Sequence, residues 1–458
     1  MGFVSLNRYC SGTVMGTTKV TAIGTAIGTA IGTATGAARI AVFPAAGKLF
    51  KLCYSNFVGV KFHVSFGVRR VYETDLKSES CVLAYDWRLF EIEVQINILS
   101  YLNPVNSGRE KARFLKAYAA GKHYDPIFEY ESPGPEVAGL CRELKRIKGR
   151  LELCKNSVFA PYYIRKIDYL LYSHALLKRR ESPDFGAELA AFHGSPPKAL
   201  LAEARKNLKS LKPPEEEEEN LEPDTVRRLF QDEIRRLGLE WEIRPTGGGG
   251  AKIAVSAARG EIYINFSTLF SRSGVKRYLC HEIGTHVFRA ENGKRQPLRL
   301  FLSGFPGYTE TEEGLAVYNE ARSGLLDPKT LKKYSARVVA AAMCSEASFS
   351  KIFEELVCYF PPEKAFTHAQ RVKRGLIDTS HPGGYTKDYV YLSGFQKVRS
   401  FLQNQPSEAE TLKILYCGKI GLKHFELARD LLEREILKQP RYLPEMQLSS
   451  PLSRPAFL

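Results

Sequence analysis

An α+β fold, predominantly helical with one small sheet, is predicted by three features of the sequence. From Tyr85 onward apolar residues recur at helical spacing, as in Leu140, Leu144, Ile147 and Leu151. Two short alternating runs, Ile253 to Ala257 and Glu261 to Phe266, flank Arg259-Gly260 and read as a β-hairpin. No run approaches the roughly eighteen apolar residues of a membrane span.

A chain of 458 residues holds two or three domains, or one large one with insertions. Its net charge of +16 fits an anionic partner such as nucleic acid, a membrane surface or an acidic protein tail, and equally a solvated basic surface. Nine cysteines form no Cys-x-x-Cys pair and are odd in number, which predicts reduced thiols in a cytosol-like compartment.

Residues 1–80 are of low complexity. Thr21-Ala-Ile-Gly24 recurs and then degenerates at Thr33-Ala-Thr-Gly36, too glycine-rich for a helix. The first acidic residue is Glu73, so the segment reads as disordered, as an organelle-targeting extension, or as the product of a mis-assigned start. Residues 81–212 read as a helical N-terminal block, with helices over Asp86 to Leu102, Ser107 to Ala120, Pro135 to Cys154 and Ala160 to Lys178, and a proline-bounded segment to Leu211. Residues 213–223 hold five consecutive glutamates between prolines and read as a solvated linker or loop. Residues 224–440 open with a capped helix, Asp224 to Leu237, a short strand near Trp241 to Arg244, and the hairpin. Residues 441–458 are a proline-rich, loosely ordered tail.

The chemistry concentrates just after the hairpin, in Tyr278-Leu-Cys-His-Glu-Ile-Gly-Thr-His-Val-Phe288 and in Thr309-Glu-Thr-Glu-Glu-Gly-Leu-Ala316. A catalytic zinc takes three protein ligands, typically imidazoles plus a carboxylate, and keeps a fourth position open. In the one-helix solution His-Glu-x-x-His the two imidazoles sit one turn apart. Here His281 and His286 are one residue further apart. A regular helix would leave them roughly 140° apart around its axis. A π-bulge absorbs one extra residue, and the spacing therefore predicts a bulge near Gly284, which has no Cβ to displace. Glu282 is expected to act as the base that deprotonates a metal-activated water. The third ligand is expected from Glu310, Glu312 and Glu313, with Glu313 preferred. A plainer reading makes the histidines partly buried helix residues, and Glu312 half of a Thr309-x-x-Glu312 capping box.

These motifs resemble the microtubule-associated tyrosine carboxypeptidase family and its bacterial relatives with a Gln-Glu-Gly-Leu-Ala motif. The likeness extends through Asn103-Pro-Val-Asn106, Tyr124-Asp-Pro-Ile-Phe-Glu-Tyr130, Arg371-Val-Lys-Arg-Gly-Leu-Ile-Asp-Thr-Ser380 and Lys387-Asp-Tyr-Val-Tyr-Leu392. It implies Zn2+ held by His281, His286 and Glu313, with Glu282 catalytic. It also implies removal of a C-terminal tyrosine or other aromatic residue from an acidic tail, tubulin-like if the source is eukaryotic; the compartment expected from the cysteines is the cytoplasm. The sheet ahead of the metal helix suits a zincin-like core, where an edge strand binds extended peptide. Arg371, Lys373 and Arg374 are the candidates for holding a terminal carboxylate, with Lys387 as a further cation and Tyr391 as an oxyanion donor. Two other functions stay open: an aminopeptidase or endopeptidase with the same metal, and a regulatory or binding protein on the same scaffold with little turnover. His368, His381, His424 and Cys280 are expected to be structural.

Overall fold

In the computed structural model, helices start where proline and short polar side chains predict. Pro135, Pro223, Pro328 and Pro362 occupy first-turn positions, where a missing N–H costs no hydrogen bond. Ser271, Asp327, Ser348 and Ser407 accept from backbone N–H groups as N-caps. The structure describes residues 79–96, 98–212, 218–247 and 251–444, and before them the backbone of a few short strands. Those earlier strands form a unit of their own over residues 1–77. Gly12–Val14, Ala38–Ala45, Leu49–Tyr54 and Ser65–Phe66 pair in that order, and Thr18–Ala22 pairs with Ala30–Ala34. The side chains of residues 1–78, much of the acidic linker and the tail from residue 445 lie outside the described residues, and so does the expectation of disorder or targeting for 1–80.

Residues 78–458 form the second unit, predominantly helical with a three-stranded sheet. The expected hairpin is present as Ile253–Ser256 paired antiparallel with Glu261–Asn265. Glu242–Thr246 adds in parallel on the other side of Glu261–Asn265. Ile253, Ile262 and Ile264 are buried, so one face of the sheet packs inward. The chain leaves the central strand almost directly into a continuous helical rod made of Arg272–Tyr278, Leu279–Val287 and Phe288–Lys294. Among the described residues no helix is long and apolar enough to cross a membrane.

The helices after Tyr85 correspond to the sequence reading within a turn, with one shift. The first runs over Ser80–Gln95, and Ser100–Leu102 is a separate 3-10 turn. Asp86 is not at its start but mid-helix and buried, accepting from the Arg299 N–H at 2.8 Å and from the Tyr163 hydroxyl. The true start is tied by Glu79, which accepts from Val158 N at 2.7 Å. The expectation of reduced thiols is corrected at one pair. Cys81 and Cys154, with Cα atoms 6.3 Å apart, form a disulfide, whereas Cys141, Cys280, Cys344, Cys358 and Cys417 are free. Two cysteines 73 residues apart in sequence carry no spacing signal that would have paired them.

The early helices share a core with the elements that follow the linker. Phe114, Phe128, Leu200 and Ala204 pack with Val317, Tyr334, Phe349, Phe366 and Leu392. Phe114 meets the Phe353 and Phe349 rings edge-on at 4.7 and 5.0 Å. At the centre of this unit helix Thr309–Arg322 crosses helix Val390–Gln403 at Gly314 and Gly394. A Cβ on either glycine would run into the other helix's backbone. The Gly of the Glu-Glu-Gly-Leu-Ala stretch is therefore a packing requirement that fixes where its glutamates point. Gly314→Ala is expected to lower stability by about 1–3 kcal/mol through overpacking, read as a lower denaturant midpoint with an unchanged slope.

Candidate active site

The central segment of the histidine rod, Leu279–Val287, is a π-helix that contains both histidines and Gly284. The added residue per turn turns His281 and His286 toward the same side, with ring centres 5.1 Å apart. A π-turn leaves backbone carbonyls that need other donors. Tyr416 supplies one, its hydroxyl donating to Gly284 O at 2.9 Å, and Asn319 Nδ2 bridges Tyr416 Oη and Thr285 Oγ1 at 2.7 Å each.

The Nε2 atoms of His281 and His286 lie 3.6 and 3.9 Å from Glu313 Oε2. One ligand-capable atom from each of the three residues falls within 4.8 Å of the others. Glu313 Oε2 is buried and has no hydrogen-bond partner. Two imidazoles and a carboxylate, with an orphaned oxygen between the two free Nε2 atoms, are a donor set that fits a divalent zinc-like cation. The outer nitrogens are anchored. His281 Nδ1 meets Glu320 Oε1 at 2.6 Å, and His286 Nδ1 meets Glu312 Oε1 at 2.9 Å. A carboxylate behind each imidazole fixes the tautomer that leaves Nε2 free to bind metal.

The two supporting glutamates are neutralised from behind. Glu320 takes Arg277 Nη1 at 3.0 Å and the Tyr334 hydroxyl at 3.2 Å. Glu312 takes the fully buried Arg289 and, at 3.0 Å, Lys419 Nζ. Arg289 is itself fixed by the carbonyls of Leu415 and Ile420 at 3.1 and 2.6 Å. The capping-box reading of Glu312 is thereby replaced: Tyr308, not Thr309, is the N-cap, and no side chain caps that end. Glu310 points elsewhere, to Ser393 Oγ at 2.5 Å and Lys397 Nζ at 2.8 Å.

Burial opposes charging of His281, but Glu313 and Glu320 overcome it and raise its pKa, so its Nε2 faces an anionic oxygen at a position where a bound cation would displace the proton. Glu282 is buried beside these rings, and burial pushes its carboxyl up. Burial also works against ionised Glu313, yet His281 and His286 hold its carboxyl below the usual range.

Residues 112–455 match the family described as microtubule-associated tyrosine carboxypeptidase. The chain belongs to that family. The mouse protein named microtubule-associated tyrosine carboxypeptidase 1 is 32% identical over 363 residues, spanning 76% of this chain and 66% of the relative. The human protein of the same name is 25% identical over 315 residues, 66% of this chain and 56% of the relative. The chain thus spans less than two thirds of the length of these tyrosine carboxypeptidase relatives.

Around the candidate centre the other expected residues divide. The Tyr391 ring is stacked 6.4 Å from the His281 ring and 5.2 Å from the Tyr334 ring. Arg371 and Arg374 share Asp388, at 2.7 and 3.2 Å. Lys373 is fully buried and donates to the carbonyls of Ala347, His381 and Gly383, so its three donors are consumed by the loop it supports. Lys387 lies 5.9 Å from the centre of the Tyr169 ring. His368 and His424 are buried and Cys280 is fully buried against Ser323. Sequence reading missed Glu320, Arg277, Arg289, Tyr334, Arg337, Tyr416 and Lys419. Glu320 alone carried a signal, since seven residues after Glu313 it returns to nearly the same helix face.

Two outcomes follow for this framework. Tyr416→Phe removes the donor to Gly284 O and is expected to cost about 1–3 kcal/mol, measured by urea unfolding. Burial opposes ionised Asp388, but Arg371 and Arg374 hold its carboxyl well below the usual carboxylate range. The stability this contributes is complete above the unfolded value, about 4, and is lost as pH falls below it toward the folded value. Melting temperatures taken down the acid limb should therefore drop below about pH 4, and Asp388→Asn should flatten that drop.

Proposed function

We propose that this chain is a zinc-dependent carboxypeptidase with a zincin-like core, removing a C-terminal tyrosine or other aromatic residue from an acidic protein tail. The observation that carries this reading is the convergence of His281 Nε2, His286 Nε2 and the unpartnered Glu313 Oε2 beside the buried Glu282. The names of the relatives support the bond type and a tubulin-like tail as partner, and the net charge of +16 suits an acidic one. His281, His286 and Glu313 would hold the zinc, which would supply Lewis-acid polarisation and a water of lowered pKa.

The chain's own side chains do the rest. Glu282 accepts the proton of the attacking water and returns it to the leaving amine; its raised pKa suits a group that must both take and give. The hydroxyl of Tyr391, beside His281, donates to the charge that develops on the carbonyl oxygen. Glu312 and Glu320 keep the imidazoles in one orientation throughout. Beside Tyr391, Arg337 lies over the ring, and Arg371 and Arg374 share Asp388, so three guanidinium groups gather around one paired carboxylate. That balance favours a substrate carboxylate over a free amine, and so a carboxypeptidase over an aminopeptidase.

The test combines metal analysis with mass spectrometry of a peptide library varied at its C-terminus. Wild type is expected to hold about one zinc per chain and to trim one terminal residue. Glu282→Gln is expected to keep the metal and lose at least about a hundredfold in rate. Glu313→Ala is expected to lose the metal, and Glu320→Gln to weaken metal binding by about ten- to a hundredfold. Stoichiometric metal without any trimming would favour a binding protein on this scaffold, and equal trimming by Glu282→Gln would remove the proposed base.

A further inference from the structure

Helix Pro328–Met343 carries Arg337, which lays its guanidinium carbon 4.3 Å from the centre of the Tyr391 ring and 5.4 Å from the centre of Tyr334. Its Nε and Nη1 are buried, and neither has a hydrogen-bond partner. Among the described residues no carboxylate forms an ion pair with it. Desolvating a guanidinium without returning its hydrogen bonds is costly, so such a group is retained where an anion arrives from outside.

Most of the neighbouring cations are already committed, and Lys387, beside the Tyr169 ring, offers a point charge and not a fork. Arg371 and Arg374 share Asp388, Lys373 is saturated by three carbonyls, and Arg277 is paired with Glu320. Lys333, one turn before Arg337 on the same helix, sits 5.1 Å from the Tyr334 ring centre and adds positive potential to the same wall. The least committed fork is thus Arg337, whose charge acts on Asp388 without an ion pair, and the Tyr391 ring neighbours both it and His281.

We infer that Arg337 receives the terminal carboxylate of the substrate, a specificity role that rests on the carboxypeptidase reading. A guanidinium binds a carboxylate through two parallel N–H···O bonds. The scissile carbonyl lies one residue inward of that carboxylate, a span of at most about 3.6 Å. Arg337 and His281 are both neighbours of the Tyr391 ring, at 4.3 and 6.4 Å, so a carboxylate held by the fork puts the last peptide bond next to the histidines. Arg371 and Arg374, tied to Asp388, act as positioning residues that stiffen the wall next to Tyr391.

The experiment uses the full chain loaded with zinc. Two readouts are taken: KM and kcat on a peptide ending in tyrosine, and calorimetric binding of N-acetyl-tyrosine against N-acetyl-tyrosinamide in a Glu282→Gln background. Arg337→Gln is expected to raise KM by about ten- to a hundredfold with a smaller change in kcat. It should also bring binding of the acid down to that of the amide. Arg337→Lys, which keeps the charge and loses the fork, should retain only part of the preference for the acid, and it carries the test if the glutamine variant does not fold. An unchanged KM together with an undiminished preference for acid over amide in either folded variant would overturn the assignment. If wild type trims no peptide, the carboxypeptidase reading fails by itself, while the acid-against-amide comparison still reports on Arg337.

Discussion

The structure depends on one deformation of one helix. Five residues separate His281 from His286, and only the π-helical run Leu279–Val287 brings both imidazoles to the same side. That deformation is held from outside. Tyr416 satisfies the Gly284 carbonyl, Asn319 ties Tyr416 to Thr285, and the contact of Gly314 with Gly394 fixes the height of the glutamate helix against the rings. Remove that external support and a regular helix, with its shorter repeat, becomes the better local structure.

A second constraint is electrostatic. Glu312, Glu313 and Glu320 face two imidazoles in a buried space that also holds Glu282, and Glu312 and Glu320 are each balanced by cations from a different part of the chain. Arg277 precedes the histidines on their own rod, whereas Arg289 follows them and locks onto the carbonyls of Leu415 and Ile420. Glu313 alone has no such counter-charge behind it, and its free oxygen faces the Nε2 atoms. The arrangement spends two glutamates on orientation and leaves the third with an unpartnered oxygen.

Much of this was legible in the sequence because the chemistry is local. The spacing of His281 and His286 was enough to predict a π-bulge, and alternation about Arg259-Gly260 was enough for the hairpin. What escaped was set by contacts between distant segments. Asp86 reads as a helix start but is buried mid-helix because Arg299 and Tyr163 need an acceptor there. Glu312 reads as a cap because nothing near it in sequence reveals Arg289 and Lys419. Among the basic residues, clustering in sequence singled out Arg371, Lys373 and Arg374. Lys373 is saturated by loop carbonyls, while the isolated Arg337 keeps open valences. Charge density along a chain does not report which charges the fold has already used.

The central claim is that two imidazole nitrogens and one carboxylate oxygen share a single ion. X-ray absorption at the zinc edge of the purified, zinc-loaded chain tests it most directly. The account predicts a first shell of nitrogen and oxygen only, at about 2.0–2.2 Å, fitted with two imidazoles. A sulfur shell near about 2.3 Å, or a spectrum with fewer than two imidazoles, would contradict it.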